Sequence, residues 1–138
     1  MDDALRARRL EVVREHMEAE NQLDFDTVIG TFGHPRYELM ASGQVFDGEE
    51  EVRRYFAQSR ATFPDQRNEN VVLHSADDGV VAEFDLLGTH RDTGKTFRSR
   101  MVALFLFDRS LFEGAGIVCE RVYFDRASIE AQVRPDAG

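Results

Sequence analysis

Three ionisable side chains occupy sequence positions where apolar residues are expected. His16 and Glu20 are four residues apart within an amphipathic helical pattern, so their side chains can touch on its apolar stripe. Glu120 alternates with Val118 and Val122, and alternate residues of a β-strand share one face. A carboxylate beside an imidazole raises the proton affinity of the ring, whereas apolar walls raise the pKa of a carboxyl group. These residue types predict general acid–base chemistry, with Glu120, His16 and Glu20 as candidate catalytic residues.

Both patterns also have a structural interpretation. His16 and Glu20 could form an ion pair at a helix end that borders solvent, and Arg9 on the same stripe could extend its guanidinium into water. Glu120 would face water if the opposite face of its strand, which carries Cys119, packed inward. Three apolar residues share the face of Glu120, however, so the inward orientation is favoured. A carboxylate there must be protonated, be paired, or line a wet cavity.

Metal binding is another use of such residues. His16, Glu20, His90 and Glu120 together offer two imidazoles and two carboxylates, but no spacing rule links them. A histidine at a strand end beside a turn, such as His90, is more often exposed than functional. The sequence also lacks a glycine-rich phosphate loop, a nucleophile elbow, an H-E-x-x-H motif and an EF-hand loop. We therefore expect neither a metal nor a cofactor.

The elements that must position these residues follow from the hydrophobic periodicity. Helical spacing covers residues 4–21, a short helix follows Asp24, a third helix covers residues 49–62, and a last helix begins after Asp125. Strands are predicted at residues 37–41, 44–46, 70–76, 80–90, 96–107 and 116–125. Helices that precede an antiparallel meander indicate the α+β class. We expect one domain over residues 1–138, in which a strongly curved sheet wraps the N-terminal helices as a cone.

The inward faces of these strands supply the walls of an apolar pocket. The residues expected to shape it are Tyr37, Phe84, Met101, Phe105 and Val122. Both faces of the 96–107 strand become apolar toward its end, as expected when helices cover one face and a second subunit covers the other. We therefore expect a homodimer whose pocket binds a small hydrophobic molecule.

The composition limits the partners and the compartment. The chain has 138 residues, of which 42% are hydrophobic, and its 26 acidic and 17 basic residues give a formal charge of -9. An excess of acids argues against binding to nucleic acid or to an anionic membrane surface. Cys119 is the only cysteine, so an intrachain disulfide is excluded. The N-terminal segment lacks the apolar core of a signal peptide and no apolar run is long enough to span a membrane, so we expect a cytoplasmic protein.

Four segments, spread over about residues 8–133, resemble the SnoaL-like branch of the NTF2-like superfamily, which includes ketosteroid isomerase, polyketide cyclases and limonene-epoxide hydrolase. The segments are Asp24-Phe25-Asp26, Phe46-Asp47-Gly48, Gly88-Thr89-His90 with Thr93-Gly94-Lys95, and Glu120-Arg121-Val122-Tyr123-Phe124-Asp125. The resemblance implies a curved antiparallel sheet around an apolar pocket, usually in a homodimer. If the resemblance holds, Glu120 and Val122 occupy the positions at which the polyketide cyclases have a catalytic His and a catalytic Asp. In ketosteroid isomerase, a Tyr on the first helix donates a hydrogen bond to the substrate oxygen. The polar aromatic residue on the first helix of this chain is His16.

Two functions remain open at this point. In the first, the chain is an acid–base enzyme of the isomerase, cyclase or hydrolase type, in which Glu120 transfers a proton α to a carbonyl group. His16, oriented by Glu20, would donate to the developing enolate oxygen. In the second, the chain is a non-catalytic dimeric module for ligand binding or association, and Glu120 and His16 form a structural pair. Fold alone cannot choose between them.

Overall fold

The computed structural model describes residues 2–137, which form four α-helices and one six-stranded sheet. The helices are α1 (Asp3–Asn21), α2 (Phe25–Gly30), α3 (Glu49–Thr62) and α4 (Arg126–Val133). The strands are β1 (Arg36–Leu39), β2 (Gln44–Asp47), β3 (Arg67–Ser75), β4 (Gly79–Thr89), β5 (Thr96–Asp108) and β6 (Gly116–Tyr123), with a 3₁₀ turn at Phe112–Gly114. Within residues 2–137, no helix combines the length and the apolar composition needed to cross a membrane.

Aspartate caps fix three of the helix starts. The side chains of Asp2, Asp24 and Asp125 accept hydrogen bonds from backbone N–H groups in the first turns of α1, α2 and α4. Such caps satisfy backbone donors that have no partner within the helix. The starts predicted after Asp24 and Asp125 are therefore confirmed, and α3 covers the predicted residues 49–62.

The sheet is mixed and open, with the strand order β2-β1-β6-β5-β4-β3. All neighbouring strands pair antiparallel except β1 and β6, which run parallel and set Tyr37 opposite Glu120. The register shifts within β3–β4 and within β5–β6, and such bulges increase local twist and bending. The predicted α+β class is confirmed, and the sheet is antiparallel at four of its five strand pairs.

The main core lies between the sheet and the helices α1, α2 and α3. Its most deeply buried members include Val13, Val28, Val52, Phe56, Phe105 and Ile117. A smaller cluster joins Ile129 and Val133 of α4 to Phe97 of β5. Residues of both clusters, such as Phe84 and Phe97, line the cavity described below.

Arg9 corrects one expectation from the sequence. Its guanidinium does not extend into water, since the residue is 1% exposed. Nε donates to the carbonyl oxygen of Gly114 at 2.8 Å and Nη1 donates to that of Asp77 at 3.0 Å. The charged group also lies 5.0 Å from the centroid of the Phe107 ring. Backbone carbonyl groups from loops distant in sequence thus bind the guanidinium, which the helical pattern alone would place in water.

Candidate active site

His16, Glu20 and Glu120 meet in the interior of the fold. Nε2 of His16 lies 2.6 Å from Oε1 of Glu20 and 3.0 Å from Oε1 of Glu120. The two α1 residues are one helical turn apart, and the alternation of β6 turns Glu120 toward them. His16 is 0% exposed and Glu120 is 5% exposed, so both side chains have the inward orientation that the sequence favours.

A hydroxyl group just after the end of α2 fixes the orientation of the imidazole ring. Nδ1 of His16 lies 2.8 Å from Oγ1 of Thr31, and this hydroxyl donates its own proton to the carbonyl oxygen of Val28 at 2.6 Å. Thr31 must therefore accept a hydrogen bond from Nδ1–H of His16. With Nδ1 protonated, Nε2 is the ring nitrogen that faces the two carboxylates.

His16 carries a positive charge at neutral pH. Burial alone would lower the pKa of its imidazole, but the adjacent carboxylates of Glu20 and Glu120 raise that pKa to about 10. The rings of Phe32 and Phe105 contact the imidazole edge-on, with centroids at 5.3 Å and 5.1 Å. The two phenyl rings hold the imidazolium in place, and the carboxylates supply its counter-charge.

The two carboxyl groups experience different surroundings. Burial opposes ionisation of Glu20, but His16, the guanidinium of Arg60 and the hydroxyl of Tyr37 hold its pKa below the ordinary value. The Tyr37 hydroxyl donates to Oε1 of Glu20 at 3.1 Å, and Nη2 of Arg60 lies 3.6 Å from Oε2. For Glu120, burial raises the pKa and outweighs the opposing effect of His16. Environments that separate two carboxyl pKa values in this way are typical of acid–base sites.

A cavity of about 700 Å³ adjoins this cluster. Glu20 and Glu120 are part of its wall, together with four of the five residues that the sequence predicts for the pocket: Tyr37, Phe84, Met101 and Val122. The remaining wall comes mainly from α3 and α4, through Tyr55, Phe56, Arg60, Ile129 and Val133. The wall combines these apolar side chains with polar ones such as Gln58, His90 and Arg126, and a cavity with both kinds of group is typical of a small-molecule site.

The family described as a SnoaL-like domain matches residues 13–111 of the chain, which is well over half of it. The chain belongs to the SnoaL-like family. No curated protein matches the sequence.

Solved structures similar to this SnoaL-like chain share its fold over nearly the whole length. A candidate polyketide cyclase from Xanthomonas campestris pv. campestris is 19% identical with a TM-score of 0.82, and the match covers 93% of this chain and 98% of that one. A hypothetical protein with a ketosteroid isomerase-like fold from Catenulispora acidiphila, in complex with trimethylamine, is 20% identical with a TM-score of 0.79, covering 91% and 93%. A phenazine biosynthesis-related protein from Pseudomonas aeruginosa is 16% identical with a TM-score of 0.76, covering 98% and 90%. The TM-scores, and not the low identities, show that the chain shares the fold of these NTF2-like and ketosteroid isomerase-like proteins.

Two residues of this SnoaL-like chain do not lie where the sequence predicts. Phe105 lies opposite Glu120 in the β5–β6 ladder, but its ring packs against that of His16 and it is not among the residues that line the cavity. His16 itself lies behind the two carboxylates and does not line the cavity. Donation from His16 to a ligand therefore stays a prediction. The inner face of the sheet is divided between core and cavity, which strand alternation alone cannot reveal.

Two polar residues of α3 were missed by the sequence argument. Arg60 and Tyr55 both line the cavity, and Arg60 lies over the rings of Phe25 and Phe56 at 5.3 Å and 5.9 Å. The spacing of Val52, Phe56 and Arg60 puts the arginine on the buried stripe of α3. This is the same kind of signal that identifies His16, so Arg60 could have been found. Tyr55 has no comparable signal.

Ligand atoms of His16, Glu20 and Glu120 all lie within 4.8 Å of one another, a spacing that could hold a metal ion. The imidazolium of His16 and the guanidinium of Arg60, however, already balance the charges of the two carboxylates. His90 lies elsewhere on the cavity wall, where its Nδ1 accepts hydrogen bonds from backbone N–H groups of its own turn. The two cations therefore give the cluster a charge balance that does not require a metal ion.

Proposed function

We propose that the chain is a cofactor-independent acid–base enzyme that acts on a small, mainly apolar carbonyl compound. The observation that supports this function is the position of Glu120, on the wall of an apolar cavity and 3.0 Å from a buried imidazolium. Burial makes the carboxylate of Glu120 a stronger base than an exposed one, and the adjacent charge of His16 keeps its ionised form accessible.

Each member of the cluster has a separate part in this reaction. Glu120 takes the proton from the carbon α to the carbonyl group and returns it to the same or a conjugated carbon. His16 does not touch the substrate; it positions Glu120 and stabilises its charge. Glu20 stays ionised and holds His16 in its cationic form. No oxidant, reductant or transferred group is needed, because a proton leaves and a proton returns.

The size and the lining of the cavity suit an apolar substrate of modest size. Its volume of about 700 Å³ lies within the range of roughly 300–1,000 Å³ that is usual for small-molecule pockets. Aromatic rings on its wall, such as Phe84 and Tyr55, offer flat surfaces to a ring system. The fold neighbours named for polyketide cyclisation and phenazine biosynthesis agree with a ring-containing carbonyl substrate.

Proton exchange in heavy water tests this function without knowledge of the natural substrate. The protein would be incubated in D₂O with 2-tetralone and 2-indanone, and loss of the α-proton signals would be followed by NMR. We expect exchange faster than in buffer alone, and a fall of about 100-fold or more in the Glu120→Gln variant, as is typical when a general base is removed.

A matched control is available on the surface. Glu83 lies 2.8 Å from Nε2 of His74, so it forms the same type of pair while exposed to solvent. Glu83→Gln should leave the exchange rate unchanged. Wild-type exchange no faster than in buffer, or a Glu120→Gln variant as fast as the wild type, would rule out the proposed function.

A second candidate function is ligand binding without turnover. The observation that favours it is Val122, an apolar residue on the cavity wall at the position where the resemblance implies a catalytic acid. Under this alternative, 2-tetralone would bind, visible as broadening of its NMR signals, but its α-protons would exchange no faster than in buffer. The exchange experiment therefore separates the two functions.

We also propose that the chain forms a homodimer through the outer face of the sheet. Val102, Leu104 and Leu106 of β5 point away from the main core and remain partly exposed, and Tyr123 of β6 beside them is 45% exposed. An apolar stripe of this kind is typical of a surface that another subunit covers. Light scattering on the purified protein should give twice the chain mass of 15.8 kDa, and Leu104→Glu should give the single mass.

A further inference from the structure

The cavity that adjoins Glu120 also reaches the opposite end of the sheet. In the strand ladders, Glu120 of β6 lies beside Phe105 of β5, which lies beside Val80 of β4. His90 lines the same cavity and follows Val80 by ten residues along the chain. At about 3.3 Å per residue, roughly 30 Å of strand separate the two ends, and bending of the sheet shortens the direct distance between them. The cavity is therefore elongated, with Glu120 at one end and His90 at the other.

The wall between these two ends is mainly apolar. Successive rows of the sheet, taken from the Glu120 end toward the His90 end, contribute the cavity-lining side chains Val122, then Phe84 with Met101, then Leu86, and then Phe97. Ile129 and Val133 of α4 pack against Phe97 and line the cavity beside it. A ligand that fills this length must be elongated and largely apolar.

Hydrogen bonds within the turn between β4 and β5 fix the tautomer of His90. The backbone N–H groups of Asp92 and Thr93 donate to Nδ1 of His90 at 3.1 Å and 3.3 Å. An imidazole nitrogen that accepts hydrogen bonds carries no proton, so the ring proton is on Nε2. The backbone N–H of His90 donates to the carbonyl oxygen of Lys95, and its carbonyl oxygen accepts from Gly94. Nε2–H is therefore a donor whose direction the turn determines.

This donor has no protein acceptor. Among residues 2–137, Nε2 of His90 makes no hydrogen bond and no ion pair. The atom is not sealed in the interior, and the imidazole ring contacts the ring of Phe63 edge-on with the centroids 5.5 Å apart. Since His90 and Phe63 both line the cavity, Nε2–H is available to an oxygen atom of a ligand.

The charges at this end of the cavity favour a carboxylate as the ligand group. The Thr93 hydroxyl donates to the carbonyl oxygen of Val133 at 2.8 Å, which brings the next residue, Arg134, beside the turn that holds His90. Arg134 lines the cavity and forms no ion pair within the described part of the chain, not even with Glu130 one turn before it. Other acids at this end are paired with basic residues, Asp92 with Arg91 and Asp136 with Lys95. An anionic ligand group would therefore meet both a hydrogen-bond donor and a cation.

We propose that the cavity binds an elongated, mainly apolar carboxylate whose carboxyl oxygen accepts a hydrogen bond from Nε2–H of His90, while its other end lies at Glu120. Arg134 supplies the counter-charge. The proposal rests on the proposed function in taking the Glu120 end as the place where the substrate carbonyl reacts. The substrate class is then an oxo acid, with a ketone and a carboxylate at opposite ends of an apolar body.

Two rod-shaped fluorescent probes, 1,6-diphenylhexatriene and its 4-carboxylic acid, test this subsite without turnover. Both fluoresce more strongly in apolar surroundings than in water, and the chain contains no tryptophan that would add an indole signal. They share one apolar body and differ only in the carboxylate. A change that affects the acid but not the hydrocarbon therefore reports on the group that holds the carboxylate.

His90→Asn removes the donor and keeps the turn. Oδ1 of asparagine can accept the two turn hydrogen bonds in place of Nδ1, but no donor remains at the position of Nε2. We expect this variant to bind the acid about 10-fold more weakly, the loss typical of one hydrogen bond to a charged group, and to bind the hydrocarbon within about twofold of the wild type. His74→Asn on β3 removes an exposed histidine and should change neither affinity.

Nuclear Overhauser contacts to two methyl-bearing side chains determine the orientation of the bound acid. Met101 lies nearer to the Glu120 end of the cavity, and Val133 lies beside the turn that holds His90. We expect the unsubstituted phenyl ring to contact the methyl group of Met101 and the benzoate ring to contact the methyl groups of Val133. Reversed contacts would overturn the proposal, because they put the carboxylate at the Glu120 end.

Three binding results would also overturn the role of His90. They are acid binding that His90→Asn leaves unaltered, a His90→Asn variant that loses both probes equally, and a wild-type protein that binds the hydrocarbon but not the acid. Failure of the proposed function has a different signature, namely an α-proton exchange rate of 2-tetralone that Glu120→Gln does not change. Absence of binding of either probe would overturn the elongated cavity as a ligand site.

Discussion

Nε2 of His16 lies 3.0 Å from Oε1 of Glu120, and both side chains are buried. The two residues are more than a hundred positions apart in the chain, and they meet because Glu120 projects from β6 toward His16 on α1. A buried carboxylate without a partner would be costly, so the imidazolium is what allows Glu120 to be charged at all. The same pairing ties the stability of the fold to pH.

The raised pKa of His16 predicts a loss of stability in alkali. Burial acts against the charged ring, but Glu20 and Glu120 raise its pKa from 6.5 to about 10, so the folded chain retains a proton that the unfolded chain releases. The stabilising contribution is complete below pH 6.5 and is lost as the pH rises through about 10. We expect the free energy of unfolding in urea to fall over this interval, by up to about 1.4 kcal/mol per pH unit.

Two histidine variants check this pH dependence. His16→Gln should flatten the alkaline fall, because glutamine cannot bind the proton. His74→Gln, which removes an exposed histidine paired with Glu83, should leave the fall as it is in the wild type. A His16→Gln protein with the full alkaline slope would show that another group is responsible.

Arg60 is predicted to stabilise the ionised form of Glu20. Its side chain is only 11% exposed, so replacing it by methionine removes the guanidinium from a site that water screens poorly. We expect Arg60→Met to lower the free energy of unfolding at neutral pH by about 1–3 kcal/mol. Because the pKa of Glu20 is lowered in the fold, this difference should shrink as the pH falls below 4.5 and Glu20 becomes protonated.

Arg54→Met is the matched change on the same helix. Arg54 pairs with Glu50 at 3.6 Å on the exposed side of α3, where such pairs contribute little. Its free energy of unfolding should stay within about 0.5 kcal/mol of the wild type. Equal effects of the two substitutions, or an Arg60 effect that persists unchanged in acid, would contradict the role assigned to Arg60.

Arg9 is predicted to be a structural cation. Arg9→Met leaves the carbonyl groups of Gly114 and Asp77 without these donors, and an unsatisfied buried polar group costs about 1–3 kcal/mol. We expect a loss of about 2–4 kcal/mol in the free energy of unfolding. Arg8→Met, which removes an exposed pair with Glu113, should cost less than about 0.5 kcal/mol. A tolerated Arg9→Met would show that water can replace the guanidinium.

The sequence could predict the parts of the site that depend on local spacing. The i, i+4 relation of His16 and Glu20 and the alternation around Glu120 each need only one element, so both inward orientations could be derived. The aspartate caps before α2 and α4 are likewise local signals. Whether these residues are catalytic is not decided by spacing, and that assignment stays a prediction.

The parts that depend on long-range pairing could not be predicted. Tyr37 lies beside Glu120 because β1 pairs with β6 in parallel, and no local pattern indicates that partner. The division of the inner sheet face into core and cavity depends on where α3 and α4 pack, so strand alternation alone cannot show that the ring of Phe105 packs against His16. Arg9 was assigned to solvent because the carbonyl groups that bind it come from distant loops.

The measurement that tests the account most directly is an NMR titration of the glutamate side-chain carboxyl carbons in ¹³C-labelled protein. Glu120→Gln and Glu20→Gln variants would assign the two signals, and Glu83→Gln would provide an exposed reference. We expect Glu120 to titrate above the ordinary value of 4.5 and Glu20 to titrate below it. Two carboxyl groups that both titrate near 4.5, or the reverse order, would contradict the assignment of proton transfer to Glu120.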